Sequence, residues 1–231
     1  MYNKLKYFKY YSKVLYQNWT KEKDSYSQHG EDILVKSLSE DGVKSFIDIG
    51  ANDGVLFSNT YKFAKQGANG ICIEPAPSSF RKLKLNHLLH PRVKCLQTAV
   101  SDKSGHLYIK EDGYEQTLSR VYEKYIPKSH KVPKLCFDDI LIRYPNFIEI
   151  DLLSIDVEGH EKEVLQGLKK NQFNAKIIIL EIDKCNLSSI SNLAALQNHT
   201  AKYTNGINTF FLNKNFNFPS IDNLPNGFSA C

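Results

Sequence analysis

Acidic side chains recur where short apolar runs end. Asp48 leads into Gly50-Ala51-Asn52-Asp53-Gly54, Glu74 follows a second run, and Ser101-Asp102 follows a third. Asp156-Val157-Glu158-Gly159-His160 follows a fourth, and Glu181 closes a fifth. Carboxylates beside apolar chain cost free energy unless they are paired or hydrogen-bonded, so this concentration points to a ligand that attracts negative charge. The densest run carries Asp156, Glu158 and His160 within five residues. Imidazole titrates near neutrality and suits a general base, and the carboxylates can position an acceptor or an amine. Two other readings of the run stand beside this one. Carboxylates and imidazole also suit a divalent metal, with Glu181 or Asp183 completing the set, and His160 could simply open a helix.

The glycine turn at Gly50–Gly54 lets backbone approach a ligand closely. A dinucleotide site wants Gly-x-Gly-x-x-Gly, so that a helix N-terminus can hold a pyrophosphate. Here the middle glycine is missing and Asn52-Asp53 stands in its place. An acid there repels phosphate but serves a cation carrying an amine and a sulfonium, as S-adenosylmethionine does. Glu74, one strand-helix unit later, can accept hydrogen bonds from two ribose hydroxyls; the alternative is a solvated strand-end acid. Pro75 and Pro77 end that strand and launch the next helix, which suits a pocket wall. Asp102 can receive an adenine amino group or serve as a turn former beside Gly105.

Alternating strands and helices must carry these positions. Apolar runs at Ser45–Ile49, Asn69–Ile73, Val93–Val100, Ile150–Ile155 and Ile177–Ile182 read as parallel strands, with a short extra strand at Leu107–Ile109 and a last one at Thr209–Leu212. Helices are expected over Ser58–Gln66, Ser78–Leu89, Phe137–Arg143 and Glu158–Lys170, the second capped by its serine pair. Glu31 and Asp32 open a helix through Leu38. The pattern gives an α/β fold with a doubly wound, mostly parallel sheet and helices on both faces. Ligands then bind outside the carboxyl ends of the strands, where strand order reverses. The stretch Glu111–Pro133 reads as a long polar loop able to form an acceptor lip.

The chain has 231 residues and a formal net charge of +5, enough for one domain and too mild to argue for nucleic acid. Residues 1–24 form a basic, aromatic segment with Lys4, Lys6, Lys9, Lys13, Lys21 and Lys23 against the acids Glu22 and Asp24. It reads as a helix packed on the domain of residues 25–231, or as a contact for a membrane surface or a glycan-assembly partner. No stretch is long and apolar enough to span a bilayer, and no secretory signal is expected. The cysteines Cys72, Cys95, Cys136, Cys185 and Cys231 lack zinc-type spacing. A reduced, cytoplasmic protein is expected.

Four segments, Ser27-Gln28-His29-Gly30-Glu31-Asp32, Phe46–Gly54, Ile73-Glu74-Pro75 and Leu153–Glu161, resemble the FkbM-type methyltransferases, a branch of the class I S-adenosylmethionine-dependent superfamily. The likeness extends over about Ser25 to Asp183. It implies a Rossmann-like sheet of seven strands with one antiparallel, at Thr209–Leu212. It implies O-methylation of a sugar hydroxyl on a surface glycan, polysaccharide precursor or glycosylated natural product, with S-adenosylmethionine as cofactor. It places Gln28 in the cofactor or acceptor pocket and leaves the base and metal dependence open. The expected cofactor set is thus Gln28, Asp48, Gly50, Asn52, Gly54, Glu74, Pro75, Ser101 and Asp102, and the catalytic set His160, Glu158 and Asp156. Two other functions fit the same residues. One is methylation of nucleic acid or another non-sugar molecule; the other is a non-catalytic cofactor-binding module in glycan assembly.

Overall fold

A computed structural model describes residues 12–112, 118–168, 173–182 and 187–231. Helices α1 (residues 12–20) and α2 (Glu31–Leu38) precede strand β1 (Ser45–Ile49). Then come α3 (Tyr61–Lys65), β2 (Asn69–Ile73), α4 (Pro77–Asn86), β3 (Val93–Leu96) and β4 (Ala99–Ser101). Strands β5 (Gly105–Asp112), β6 (Leu118–Tyr122) and β7 (His130–Cys136) lead to α5 (Phe137–Arg143), β8 (Glu149–Ile155) and α6 (Glu161–Gln166). The chain ends through β9 (Asn174–Glu181), α7 (Leu187–Ile190), β10 (His199–Thr204), β11 (Asn208–Asn213) and β12 (Ser229–Ala230).

The main sheet runs β12-β10-β11-β9-β8-β1-β2-β3. Strands β3, β2, β1, β8 and β9 are parallel, and β11 is antiparallel to β9. Order reverses between β1 and β8, so the switch point lies at their carboxyl ends. Alternation along the strands fills both faces. Ile47, Ile49, Ile178 and Leu180 pack with Phe137, Ile140 and Val164 of α5 and α6, while Phe46, Ile177 and Ile179 pack with Leu34, Phe63 and Leu83 of α2, α3 and α4. At the amino end of the sheet, Asp151 accepts from the Lys44 and Ser45 amides at 2.7 and 3.0 Å and from Lys176 at 2.8 Å, fixing the β1–β8–β9 register.

Several expectations change in detail. The single strand Val93–Val100 is two strands, because the chain leaves the main sheet after Leu96. The Thr98 hydroxyl then donates to the Pro133 carbonyl at 3.0 Å, and β4 pairs with β7. The long loop Glu111–Pro133 contains β6 and β7, joined with β4 and β5 in a second, four-stranded sheet; residues 113–117 lie outside the described ones. Among the described residues, that sheet encloses a small core of Ala76, Ala99, Leu107, Ile109 and Val132, in keeping with its polar sequence. The main sheet has eight strands rather than seven, since β12 adds to β10. Helix α4 starts at Pro77, so its cap is Ala76 and the serine pair lies inside the first turn. Helix α6 begins at Glu161, not Glu158, because Glu158 and Gly159 take positive φ.

Of the basic N-terminal segment, residues 12–20 are helical and their end packs on the domain. The Lys65 ammonium donates to the carbonyls of Asn18, Trp19 and Lys21 at 3.3, 3.4 and 2.8 Å, a cation placed at a helix carboxyl end. The Trp19 indole donates to the Asn86 carbonyl at 3.1 Å. Cys72 is buried and Cys231 exposed, and none of the described cysteines forms a disulfide.

Beneath this contact, His87 stacks edge-on with Tyr61 and His90 at ring distances of 5.5 and 5.2 Å, and its Nδ1 meets that of His90 at 3.2 Å. Burial, and then the charge of His90, push its pKa down to about 3. An unfolded histidine titrates near 6.5, so below that pH the unfolded chain takes up a proton that the folded one refuses. The stability due to neutral His87 is complete above about 6.5 and is lost as pH falls toward 3. Melting temperature measured from pH 7.5 to 4.5 should therefore fall more steeply in the native protein than in His87→Asn; parallel curves would refute the assignment.

Candidate active site

The end of β1 is pinched between its neighbours. The Gly50 and Ala51 amides donate to the Ile73 carbonyl at 2.9 and 3.0 Å, and the Asp156 amide donates to that of Ile49 at 3.0 Å. Gly50 takes φ 89°, and a β-carbon there would stand 1.7 Å from the Asp156 carbonyl oxygen. Only glycine fits. Past it, the Asn52 amide donates to Glu74 Oε2 at 2.9 Å and the Ala76 amide to Oε1 at 2.7 Å. Asp53 Oδ1 accepts from the Val55 and Leu56 amides, both at 2.8 Å. Both acids thus shape the turn through backbone donors.

Asp48 is buried beneath this turn. The Thr60 hydroxyl donates to it at 2.6 Å, Ser154 also bonds to it, and Asn59 donates to Ser154 Oγ at 3.1 Å. Burial pushes its pKa up to about 6, against the pull of the two hydroxyls. At the end of β8, Asp156 and Glu181 are hydrogen-bonded to each other across adjacent strands. Both carboxyls lie above the usual range. Loss of water comes first in each; Glu158, Asp48 and Glu161 add repulsion at Asp156, and Asp156 and Glu161 do so at Glu181. Each carboxyl therefore keeps its proton to higher pH than a solvated one. Glu161 Oε1 accepts from the Val157 and Gly159 amides at 3.1 Å each, fixing the loop between them.

His160 sits between two partners. Its Nε2 lies 3.0 Å from Ser101 Oγ, which donates to Asp102 Oδ1 at 3.2 Å, and its Nδ1 lies 3.5 Å from Glu163. With the serine proton on Asp102, Nε2 carries the hydrogen toward Ser101.

These strand ends enclose a cleft of about 410 Å³. Gln28, Asp48, Gly50, Asn52, Glu74, Pro75, Asp156, Glu158 and His160 all line it. Gly54, Ser101 and Asp102 do not. A β-carbon on Gly54 would strike Leu83 at 2.5 Å and His87 at 2.8 Å, so that glycine admits α4 against the turn. Ser101 and Asp102 reach the cleft only through His160. Asn59, Thr60 and Ser154 carry no signal of a role in the sequence, and their hydroxyls and amide look ordinary until the fold gathers them round Asp48. The wall of Thr98, Ala99, Val100 and Ile109 exists because the chain changes sheets there, which no local pattern signals. Glu181, read above as a strand-end acid able to complete a metal set, is hydrogen-bonded to Asp156.

Asn52, Phe57 and Glu158, three of the four non-glycine residues with positive φ among those described, line the cleft. Such strain costs roughly 1–3 kcal/mol each and persists where function holds it. Gln28 arrives on a loop fastened by Asp32, which accepts from Ser25 and Ser27 hydroxyls at 2.6 and 3.0 Å and the Tyr26 amide at 2.9 Å. Among the described residues, no group of three or more His, Cys, Asp or Glu is placed to hold a metal ion; Asp183 lies outside them.

Residues 48–218 match the model of the Methyltransferase FkbM domain. The chain belongs to this family. Its fold is accordingly that of the class I methyltransferases. Among solved structures it is similar to a methyltransferase FkbM from Methylobacillus flagellatus KT (13% identity, 73% of this chain and 43% of that one, TM-score 0.45). It is similar also to the METTL16 MTase domain (14%, 78% and 63%, TM-score 0.46). A third is a precorrin-6y C5,15-methyltransferase from Geobacter metallireducens GS-15 (10%, 78% and 86%, TM-score 0.41). The chain spans less than two thirds of the first two. No curated protein matches it.

Within this fold, Gly50 and Gly159 differ in kind. Both take positive φ, yet nothing lies within 4 Å of a β-carbon at Gly159. Gly50→Ala should cost at least ~3 kcal/mol of stability in urea unfolding, because backbone must move as well as strain. Gly159→Ala should cost ~1 kcal/mol, from conformation alone. Equal costs would show that the β1–β8 approach is not what fixes the turn.

Proposed function

We propose that this domain is an S-adenosylmethionine-dependent O-methyltransferase that methylates a sugar hydroxyl of a surface glycan, polysaccharide precursor or glycosylated natural product in the cytoplasm. The observation that carries the reading is the convergence of Asp48, Glu74, Asp156 and Glu158 on one cleft in a chain whose net charge is positive. A cationic ligand is stabilised there and a polyphosphate is repelled. The same field opposes nucleic acid as acceptor. A volume of about 410 Å³ lies within the range of small-molecule pockets. The donor set therefore fits the cofactor, which when bound supplies an electrophilic methyl on its sulfonium.

In this reading Glu74 receives the ribose hydroxyls, held in place by the Asn52 and Ala76 amides. Asp48, Gly50 and Asn52 shape the floor, and Gln28 and Pro75 form walls. Asp156, Glu158 and His160 face the reacting end, where a carboxylate or imidazole takes the hydroxyl proton. Ser101 and Asp102 act as positioning residues, holding the His160 ring. No helix among the described residues is long and apolar enough to cross a membrane.

Hydrogen bonds to a charged group contribute roughly 1.5–3 kcal/mol, so Glu74→Ala should weaken adenosylhomocysteine by at least ~10-fold in calorimetric titration. His160→Ala should keep that affinity within ~3-fold. Incubation with labelled S-adenosylmethionine should label a carbohydrate. Label entering only another acceptor class would end the sugar assignment, and unchanged affinity in Glu74→Ala would end the cofactor assignment.

A further inference from the structure

A second cavity of about 480 Å³ opens beside the first at the carboxyl ends of β8 and β9. Glu181 lines both, and so forms the partition between them. We propose that a neutral sugar acceptor enters through this second cavity and gives its hydroxyl proton to the Asp156–Glu181 carboxyl pair. The proposal rests on the methyl-transfer reading above and adds the acceptor's route, its charge class and the base.

The lining suits that ligand. Ile182, Ile190 and Ile207 offer aliphatic surface to the C–H faces of a sugar ring, and Lys162, Glu181 and Ser189 offer donors and acceptors to hydroxyls. Glu161 in the lining, with the charge of the Asp156–Glu181 pair behind it, opposes a phosphate-bearing acceptor. The outer lip is rigid. Asn205 and Asn208, flanking Gly206 and Ile207, each donate to Glu31 Oε1 at 2.8 Å. The His29 amide donates to Glu31 Oε2 at 2.8 Å, beside Gln28 of the first cleft. One buried carboxylate thus fastens a lip of each cavity to the other.

The choice of base follows from bonding. His160 Nε2 is held at 3.0 Å from Ser101 Oγ, and Nδ1 lies 3.5 Å from Glu163, so the ring is oriented toward these two partners. Asp156 and Glu181 stand one step beyond the paired residues Ile155 and Leu180 and are hydrogen-bonded to each other, with Glu158, Glu161 and Asp48 the other charges around them. A protonated Glu181 donates to Asp156 and leaves that carboxylate an open oxygen. In the transfer, the oxygen–methyl bond forms as the sulfur–methyl bond breaks, and the sulfonium leaves as a neutral thioether. The hydroxyl proton passes to Asp156, and Glu181, which faces the second cavity, releases a proton to solvent.

Saturation-transfer NMR on protein loaded with adenosylhomocysteine tests the route. The probes are the methyl glycosides of glucose, galactose, mannose and rhamnose, with UDP-glucose as the charged counterpart. At least one neutral glycoside should bind more tightly than UDP-glucose. Ile207→Arg, at a residue 42% exposed, should weaken it by at least ~10-fold without changing adenosylhomocysteine affinity. For the base, labelled methyl transfer to that glycoside should fall by about 10²–10⁴-fold in Asp156→Asn and more in Glu181→Gln than in His160→Asn. Its acid limb in native protein should lie above the ordinary carboxylate range. Unchanged glycoside binding in Ile207→Arg overturns the route. Full turnover in Glu181→Gln with loss in His160→Asn overturns the base. Absence of adenosylhomocysteine binding removes the parent reading and this one with it.

Discussion

The end of β1 and the first residue after β8 meet so closely, Gly50 against the carbonyl of Asp156, that no side chain fits between them. In a doubly wound sheet the crossovers leave these two strands in opposite directions, one to each face. Their ends must come together before the loops part. With no side chain at position 50, the two ends touch and the loops diverge above them, and the space between becomes the cleft. Everything lining it hangs on that contact. The Asn52 turn is anchored to Glu74 on one side, and the Val157–Gly159 loop to Glu161 on the other.

Charge is the second constraint. Carboxylates crowded at one sheet edge disfavour the empty, fully ionised site, and the molecule offsets this in two ways. Some acids are consumed by backbone donors: Glu74, Glu161 and Asp53 each accept from two amides. Others are left short of compensation. Asp48 has only hydroxyls, and Asp156 and Glu181 have chiefly each other, so their protons are held to higher pH. The first group builds the walls, and the second is available to answer a cation or a proton.

Much of this was legible from sequence because it is local. The strands Ser45–Ile49 and Asn69–Ile73 are continuous apolar runs whose ends coincide with acids, and the missing middle glycine separates this turn from a dinucleotide one. What escaped depends on contacts far apart in the chain. Ser101 and Asp102 follow a strand, as expected of pocket residues, but the strand is not in the main sheet, and their partner is His160, some sixty positions on. The polar run before Pro133 hid two strands because a sheet with so small a core needs few apolar residues. Gly54 was legible as a glycine that matters but not as one that matters to α4.

Glu31 and Asp32 show the same limit from the other side. Acids in the first turn of a helix complement its dipole, and that local reason suffices to place them. Yet both are fully buried, which a dipole of that size does not justify for a charged group. Their surroundings do. Asp32 gathers the hydroxyls and amide of the Ser25–Ser27 loop, and Glu31 gathers two asparagines from the β10–β11 hairpin, over 170 positions away. The two carboxylates therefore act as hubs, converting a short helix start into the joint between the loop that carries Gln28 and the turn that carries Ile207. A neutral amide in place of either could satisfy only part of each set, since it has one acceptor oxygen where the carboxylate has two. The helix start would survive that exchange; the relative placement of the two loops would not.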